Sequence, residues 1–306
     1  MLLSCGDALI DFVPAKTADG RDAYVPAVGG SCLNVATAMA RLGAPTGFVG
    51  GISTDLFGEA IAAHLTASHV SLDFTTRSER ETTCAFVKMI GNDAHYAFYD
   101  EGTASRTWIY QDGSIPFEKI EALHIGSTTL INDPSASAYE ALVAAARPHV
   151  IISFDPNVRP TLTKDIATYR ARMNRLAAMA DIVRMSDEDF KYLYEHQDYD
   201  SAAANWLNNG ASLVLITLGG DGVLAYSQAG KTQAPAFRVN LVDTIGAGDT
   251  FQGGMLVALS EAGLLKKDRL AAISLAQMDT ALAFATKAAS ITVSRAGANP
   301  PWRSEM

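Results

Sequence analysis

The sequence predicts an α/β fold in which helices cover both faces of a mostly parallel sheet. Short apolar runs, bounded by turn residues, alternate with longer helical patterns in residues 123–126, 138–146 and 150–155. The alternation returns at residues 182–185 and 213–217, with a helical stretch between them. Because parallel strands need crossover connections, this βαβ order indicates a parallel sheet buried between helices. Ligands bind such sheets beyond the carboxyl ends of their strands.

Two further segments, residues 9–28 and 82–100, are rich in alternating and aromatic residues. The second reaches a turn-like Gly91-Asn92-Asp93 between two apolar runs, which predicts a β-hairpin. A hairpin that leaves a parallel sheet at its substrate end is a candidate lid, because it can exclude water from a transfer reaction. The alternative is a hairpin that only patches the edge of the sheet.

Composition limits the class of partner. The chain has 306 residues and is 48% hydrophobic, which is sufficient for one large domain over residues 1–306. Its formal charge of −9 argues against nucleic acid or acidic lipid and favours a small molecule. No run approaches the roughly 20 apolar residues that a membrane span requires, and no basic, signal-like segment is seen at the start. We therefore expect a cytoplasmic protein with no membrane partner.

The strongest chemical signal is the run DTIGAGDTF at residues 243–251, which leads into an apolar helical pattern. Gly246, Ala247 and Gly248 leave their backbone N–H groups open to an anion, and a helix start behind them adds unpaired donors. Such a nest can hold the charge on a transferred phosphate. Asp249 is placed to accept a proton from a substrate hydroxyl that attacks the γ-phosphate of a nucleotide. The alternative is a glycine-rich turn that only caps a helix.

A second glycine motif, at residues 29–34, precedes a helical pattern that ends at Gly43. Gly29 and Gly30 permit close approach of the backbone to a ligand. Asn34 carries both a donor and an acceptor, which suits recognition of sugar hydroxyls. A helix N-cap is the other role open to Asn34.

These two motifs resemble the signatures of the ribokinase-like (PfkB) carbohydrate kinases. The C-terminal signature, D-T-x-G-A-G-D-x-F, is present at every fixed position, and the two motifs occur in the family's order, roughly 210 residues apart. The resemblance implies a ribokinase-like sheet sandwiched by helices, with a small β-lid. It also implies an ATP-dependent kinase that phosphorylates a primary hydroxyl of a small sugar, with Asp249 as its base.

Two further stretches are similar to sugar-site segments of that family. Residues 6–11 look like its first strand, whose final Asp, here Asp11, contacts substrate hydroxyls. Residues 155–159 resemble its D-x-N-x-R segment near the transferred phosphate, which implies roles for Asn157 and Arg159. Arg159 is also a fork-shaped donor suited to phosphate oxygens, although a surface arginine is the alternative.

The nucleotide loop of the family is similar to residues 217–222. There Thr217 offers a hydroxyl, and three glycines give access to the backbone: Gly219, Gly220 and Gly222. The resemblance therefore implies ATP as the phosphate donor.

Cations are expected beside the nucleotide. Ser186 and Asp189 occupy the place of the family's N-x-x-E element, which organises Mg²⁺ largely through water, with Ser for Asn and Asp for Glu. An exposed acidic helix start is the alternative. Asp243 is a further candidate for a cation. Residues 288–298 resemble the segment that flanks adenine and, in many members, a monovalent cation, so K⁺ is also expected, although Pro301 stands where some members carry a hydroxyl ligand.

One competing motif is rejected. Residues 225–232 fit a relaxed Walker A pattern with Ala for its first Gly. A P-loop must open a helix, whereas residues 233–239 contain a Pro and extended patterning. We therefore predict that Lys231 lies in a hairpin between two strands.

Within the family, residues 6–14, 82–87 and 155–159 look most like bacterial fructokinases, so D-fructose is the first substrate expected. A 2-keto-3-deoxygluconate kinase is the alternative, disfavoured because Asp100 and Glu101 place acid where such kinases often carry Arg. The intact Asp249 argues against a non-catalytic sugar-binding relative, and an oxidoreductase lacks support because no G-x-G-x-x-G follows the first strand. The expected partners are a sugar, ATP and a second copy of the chain that packs through the lid.

Overall fold

The computed structural model of this chain describes residues 1–90 and 93–306. Those residues form a central sheet of ten strands and a separate sheet of four strands. Across the same ranges, no helix combines the length and the apolar character that a bilayer crossing needs.

The strands and helices follow in chain order. The strands are β1 Leu2–Cys5, β2 Leu9–Lys16, β3 Asp22–Gly29, β4 Thr46–Ser53, β5 Val70–Ser71, β6 Thr75–Ser78, β7 Thr83–Ile90, β8 Asp93–Tyr99, β9 Ala122–Gly126, β10 Ile151–Asp155, β11 Ile182–Ser186, β12 Leu213–Thr217, β13 Val223–Ser227 and β14 Gly230–Ala234. The helices are α1 Ser31–Arg41, α2 Leu56–Ala67, α3 Ser135–Ala146, α4 Ile166–Met179, α5 Asp187–Tyr194, α6 Tyr199–Asn208, α7 Ala247–Glu261, α8 Lys267–Ala271 and α9 Leu275–Val293. Short 3₁₀ turns cover Phe117–Lys119, Thr128–Leu130, Pro160–Leu162, Gly219–Asp221 and Arg303–Glu305.

The central sheet has the order β14-β13-β12-β11-β10-β9-β1-β4-β5, and β6 also pairs with β4. Strands β12, β11, β10, β9, β1 and β4 pair in parallel, while β13 and β14 continue the edge in antiparallel pairing. The predicted mostly parallel sheet is therefore confirmed. The strand predicted over residues 213–217 matches β12 at both ends.

Helices pack on both faces of this sheet, as predicted. Successive side chains of β10 point to opposite faces of the sheet, and Ile151 and Ile152 accordingly belong to different apolar cores. The core that holds Ile151 includes Phe251 of α7 and residues of α1 and α9. The core that holds Ile152 includes Tyr139 of α3 and residues of α4, α5 and α6. Burial of these two helix layers supplies the apolar driving force for the fold.

The second sheet has the order β3-β2-β7-β8 and contains both segments that were predicted to form a lid. We call these four strands the lid sheet. Strands β7 and β8 form the predicted hairpin, whose turn at Gly91-Asn92 lies outside the described residues. β2 pairs with β3 in antiparallel fashion and with β7 in parallel fashion. The alternative of a hairpin that patches the central sheet is therefore wrong.

The expectation of a single first strand over residues 6–11 is also wrong. β1 ends at Cys5, and β2 begins at Leu9 in the lid sheet. Between them Gly6 has φ +152, and a Cβ on it would lie 2.4 Å from Cys32 Sγ. The Asp7 carboxylate accepts the Cys32 N–H at 3.0 Å. These contacts turn the chain out of the central sheet before Asp11 is reached.

The predicted hairpin around Lys231 is confirmed. β13 and β14 pair in antiparallel fashion, and Lys231 lies on β14, where its Nζ is 2.6 Å from Asp200 Oδ1. No helix begins directly after Lys231: the chain continues along β14 to Ala234, and the next helix, α7, begins at Ala247.

We predict that Lys231→Ala leaves kcat and both KM values for sugar phosphorylation within about 2-fold of wild type, because a lysine in an exposed ion pair contributes little. Steady-state kinetics with varied ATP and varied sugar measure this. A fall in kcat of about 100-fold in a variant that keeps the wild-type Tm would restore the P-loop interpretation.

Candidate active site

The predicted anion nest lies at the start of α7. This helix begins at Ala247, and its N-cap Gly246 has the left-handed φ of 75. A Cβ on Gly246 would lie 2.7 Å from the Ala298 Cβ, and one on Gly248 would lie 2.7 Å from Arg184 Nη2. Packing against Ala298 therefore excludes a side chain at Gly246, whereas a side chain at Gly248 would have to displace the Arg184 guanidinium. The N–H groups of the first turn of α7 are without intrahelical partners, as at any helix start, although the Ala247 N–H donates to the Thr244 carbonyl at 3.3 Å.

Asp249 lies in the first turn of α7 with only 7% of its surface exposed. Its carboxylate accepts a hydrogen bond from Ser31 Oγ at 2.7 Å and one from Asn34 Nδ2 at 2.9 Å. Burial raises the pKa of Asp249 to about 6, against the opposing effect of these two hydrogen bonds. The group is thus an oriented carboxylate with more basicity than an exposed aspartate, which suits a general base at neutral pH.

The structure decides between the two roles considered for Asn34. α1 begins at Ser31, and Gly30 is its N-cap, so the N-cap interpretation of Asn34 is wrong. Asn34 instead lies inside α1 and orients Asp249. Binding of a sugar hydroxyl by Asn34 remains a prediction.

The double glycine makes room for Asp11. A Cβ on Gly29 would lie 2.2 Å from Asp11 Oδ2, and one on Gly30, which has φ +111, would lie 2.7 Å from the Asp7 carbonyl oxygen. The sequence predicted that a ligand approaches the backbone closely at these glycines. In the structure the close neighbours are the Asp11 carboxylate at Gly29 and the Asp7 backbone at Gly30. Burial and, next, the charge of Asp7 raise the pKa of Asp11 to about 6, while Arg159 acts to lower it. Asp11 thus lies within electrostatic range of Arg159, and its contact with sugar hydroxyls stays a prediction.

Two non-glycine residues with left-handed φ follow neighbouring strands. Ser127, with φ 68, comes after β9, and Asn157, with φ 42, comes after β10. The Ser127 Oγ donates to Asp7 Oδ2 at 2.7 Å and lies 3.3 Å from Asn157 Oδ1. Backbone conformations of this kind cost free energy and are concentrated at functional sites. Ser127 was not among the predicted site residues, because the sequence contains no local signal for an unusual φ at a serine.

The lid sheet faces this cluster with Asp11 and Tyr96. By register, Asp11 on β2 and Tyr96 on β8 lie on the same side of the sheet, opposite Phe12 and Phe86. Burial and the Asp11 carboxylate raise the pKa of Tyr96 against an opposing effect of Arg159, so both charges lie within electrostatic range of its hydroxyl. Tyr96 is a further residue of the site that the sequence motifs did not indicate.

Arg159 is folded onto its own loop. Its Nη1 donates to the Val158 carbonyl at 2.9 Å and to the Asn157 carbonyl at 3.3 Å. The side chain is half-buried, so the alternative of a free surface arginine is not what the structure contains. Phosphate binding by Arg159 stays a prediction.

The predicted nucleotide loop follows β12. Thr217 ends this strand, and its Oγ1 accepts a hydrogen bond from Arg184 Nη2 at 2.5 Å. Cβ atoms on Gly219 and Gly220 would meet nothing within 4 Å, so these two positions are open. Gly222 differs, because a Cβ there would lie 2.1 Å from the Ala234 carbonyl oxygen. Packing against β14 alone therefore requires a glycine at position 222.

Each of the three candidate cation ligands already accepts a backbone N–H. Ser186 is the N-cap of α5, where its Oγ accepts the Asp189 N–H at 3.0 Å. Asp189 is buried rather than exposed, and its Oδ1 accepts the Val158 N–H at 3.0 Å. Burial and, next, the charge of Asp155 raise the pKa of Asp189 to about 6. The Asp243 carboxylate accepts N–H groups of residues 245 and 297 at 3.0 and 2.8 Å.

These contacts argue against a cation held by a protein cage. Within residues 1–90 and 93–306, no three His, Cys, Asp or Glu side chains cluster in a way that could hold a metal ion. The oxygen atoms of Ser186, Asp189 and Asp243 suit a cation whose other ligands are mainly water and phosphate oxygens.

A buried ion pair at the site was also missed. Arg184 Nη1 lies 2.5 Å from Asp155 Oδ2, and both side chains are almost wholly buried. A sequence signal did exist, because Arg184 interrupts the apolar run of residues 182–185 that was predicted to be a buried strand. A charged residue in such a run is costly unless it is paired.

Asp100 does not bring a free charge to the sugar site. Its Oδ2 lies 2.7 Å from Arg106 Nη1, and the Glu101 side chain is exposed. The charge of Asp100 is therefore compensated, and the electrostatic argument against a sugar-acid substrate loses its basis.

The geometry agrees with the relatives of this chain. A model of the pfkB family of carbohydrate kinases matches residues 1–305. The chain belongs to this family. A fructokinase of Rhizobium leguminosarum bv. trifolii is 44% identical over 273 residues, which are 89% of this chain and 84% of that protein.

Two solved structures extend the comparison to the fold. A fructokinase from Xylella fastidiosa with bound ATP has a TM-score of 0.87 and 28% identity, over 97% of this chain and 93% of that one. A double mutant of fructokinase from Vibrio cholerae O395, with fructose, ADP and potassium ion bound, has a TM-score of 0.83 and 28% identity, over 97% and 93% of the two chains. The ribokinase-like α/β fold and the assignment to the pfkB sugar kinases, which act with ATP, are thereby confirmed.

We predict that Asp249→Asn lowers kcat by at least about 100-fold and changes sugar affinity little, because the amide keeps the shape of the carboxylate but cannot accept the proton. Steady-state kinetics and calorimetric sugar titration measure the two quantities. For the wild type, kcat should be lost as the pH falls through about 6, where Asp249 becomes protonated. Near-normal turnover of the Asn variant at saturating sugar would show that Asp249 is not the base.

Proposed function

We propose that this pfkB kinase is an ATP-dependent fructokinase, which converts D-fructose and ATP into fructose 6-phosphate and ADP. The observation that carries the proposal is the buried Asp249 carboxylate, which Ser31 and Asn34 orient beside the glycine nest at the start of α7. The 44% identity with the Rhizobium fructokinase favours fructose among the sugars.

In this proposal the site residues divide the reaction between them. Asp11, Asn34 and Asn157 bind sugar hydroxyls and leave the primary hydroxyl beside Asp249. Asp249 takes the hydroxyl proton while the hydroxyl oxygen bonds to the γ-phosphorus, and the bond from phosphorus to the bridging oxygen breaks with its electron pair leaving on ADP. The N–H groups of residues 246–248 stabilise the charge on the phosphoryl group in transfer.

Thr217, Gly219 and Gly220 are proposed to contact ATP, and Arg159 the phosphate in transfer. Gly222 shapes the same loop. Mg²⁺, when bound with ATP, would offset the negative charge of the phosphates. Asp189 is proposed to hold the water shell of this ion.

Ser186 and Asp243 are given supporting roles in the cation proposal, since the Ser186 hydroxyl already accepts one backbone N–H and the Asp243 carboxylate accepts two. A monovalent cation such as K⁺ is proposed to bind near Gly297, whose N–H donates to the Asp243 carboxylate.

We also propose that residues 1–306 are one kinase domain with the lid sheet as its appendage. This domain is proposed to act in the cytoplasm, where ATP is available.

The alternatives differ in their support. A non-catalytic relative would not need a buried, oriented carboxylate beside the glycine nest, so the contacts of Asp249 favour turnover. A 2-keto-3-deoxygluconate kinase is now disfavoured by the Rhizobium fructokinase identity alone, because Arg106 compensates Asp100.

We predict that kcat/KM for D-fructose exceeds that for 2-keto-3-deoxygluconate by at least about 10-fold, which corresponds to about 1.4 kcal/mol of transition-state discrimination. The two compounds would compete in one reaction with ATP, and the two phosphorylated products would be quantified by mass spectrometry. Preferential phosphorylation of the sugar acid would contradict the fructokinase proposal and leave the kinase assignment intact.

A second copy of the chain is proposed to pack on the outer face of the lid sheet. This face carries stacked Phe12 and Phe86, with ring centroids 4.5 Å apart, and Tyr24 and Tyr99 lie edge-on to Phe86. Tyr99 is 64% exposed and Leu56, at the start of α2, is 80% exposed. Contiguous exposed aromatic surface of this kind is typical of a protein interface.

We predict that the wild type sediments as a dimer at about 10 μM and that Tyr24→Glu/Tyr99→Glu sediments as a monomer, because the charges would be buried against a second lid. Leu275→Glu is the control. Leu275 is an exposed apolar residue at the start of α9, near Gly230 of β14, so this variant should stay dimeric. A monomeric wild type, or an unaffected double variant, would contradict the lid interface.

A further inference from the structure

Arg184 occupies a position where a charge is difficult to explain by packing alone. It lies on β11 in the middle of the central sheet with 4% of its surface exposed. Its neighbours on the same face, Ile182 of β11 and Leu215 of β12, are apolar and belong to the core under α7. An apolar side chain would fill such a position at lower cost than a guanidinium. The charge therefore calls for a functional reason.

The guanidinium touches three separate parts of the site. Nη1 pairs with Asp155, which begins the segment that carries Asn157 and Arg159. Nη2 donates to Thr217 of the nucleotide loop at 2.5 Å. Its planar group also lies against Gly248, where a Cβ would be 2.7 Å from Nη2 and 3.0 Å from Nη1. A single planar fork thus spans the sugar segment, the nucleotide loop and the anion nest, which a lysine ammonium could not do.

The guanidinium also balances a concentration of negative charge. Burial acts against the charged form of Arg184, whereas Asp155, Asp189 and Asp249, each at most 9% exposed, all act to favour it. An incoming triphosphate would add further negative charge to this space. Without the guanidinium, the carboxylates would repel the phosphates that the nest must bind.

We propose that Arg184 is a positioning residue for phosphoryl transfer, which fixes the sugar segment, the nucleotide loop and the nest relative to one another and offsets the carboxylates where the phosphates bind. This inference rests on the proposed kinase reaction but not on the identity of the sugar. It assigns Gly248 a second purpose, because a side chain there would displace the guanidinium from beneath the nest.

Arg184→Met removes the charge and the fork while keeping an unbranched side chain. We expect kcat to fall at least about 100-fold and nucleotide affinity to fall at least about 10-fold. Arg184→Lys keeps the charge but cannot reach both Asp155 and Thr217. It should recover much of kcat while its ATP KM stays several-fold above wild type. ATP-analogue affinity is measured by calorimetry, so this result does not depend on which sugar the enzyme uses.

The pH profile separates positioning from mere structural support. The groups that act on Asp249 are Ser31 and Asn34 from α1, Asp155 from β10 and Arg184 from β11. Loss of the Arg184 charge removes an influence that favours the ionised base. The acid limb of kcat in Arg184→Met should therefore move to higher pH, and it should return toward the wild-type position in Arg184→Lys.

Arg172→Met is the matched control. Arg172 is also a buried arginine, 9% exposed, and it pairs with Asp133 and Glu140 on the opposite face of the central sheet. This variant should lose thermal stability but keep the wild-type kcat, KM values and pH limb. If Arg184→Met instead matches the control, with lower Tm but unchanged nucleotide affinity and acid limb, the positioning role is overturned. If Arg184→Met does not fold, a wild-type ATP KM in Arg184→Lys would overturn it equally.

Discussion

The site depends on keeping several carboxylates dry and ionised beside a place that must receive a polyanion. Asp249 can act as a base only if it is buried enough to be basic and held firmly enough to remain charged. Hydrogen bonds from α1 meet the second requirement, and the buried pair of Arg184 and Asp155 offsets the accumulated charge. Gly246 and Gly248 are packed closely at the same place, against Ala298 and the Arg184 guanidinium.

The parallel sheet makes this concentration possible. Neighbouring strands all end at one edge, so Asp155, Ser186 and Thr217 come together although they are far apart in sequence. α7 then covers the edge and brings Asp249 to it. The lid sheet closes the opposite side with Asp11 and Tyr96. The residues proposed to bind sugar and phosphate and to act as the base therefore belong to two sheets that share no strand and to the helix α7.

The sequence was sufficient for the periodic parts of the fold and for the motifs whose chemistry is local. The strand at residues 213–217 and the helix start behind Gly246 followed from apolar pattern and glycine placement. The break between β1 and β2 within residues 6–11 could not be predicted from the sequence, because it depends on the tertiary contact of Gly6 with Cys32. Asn34 illustrates the same limit, since its partner Asp249 is distant in sequence. Arg184 was visible as a charge in an apolar run, but its three partners exist only after folding.

The construction of the lid sheet has a consequence for how the chain assembles. β2 pairs with β7, so that Phe12 lies beside Phe86, and the whole of α1, β4 and α2 intervenes along the chain. Such non-local pairing incurs loop-closure entropy and forms slowly unless the intervening segment is already compact. The lid sheet should therefore form after the N-terminal part of the central sheet. Until then the edges of its aromatic strands are unpaired, and unpaired edges of this kind promote aggregation.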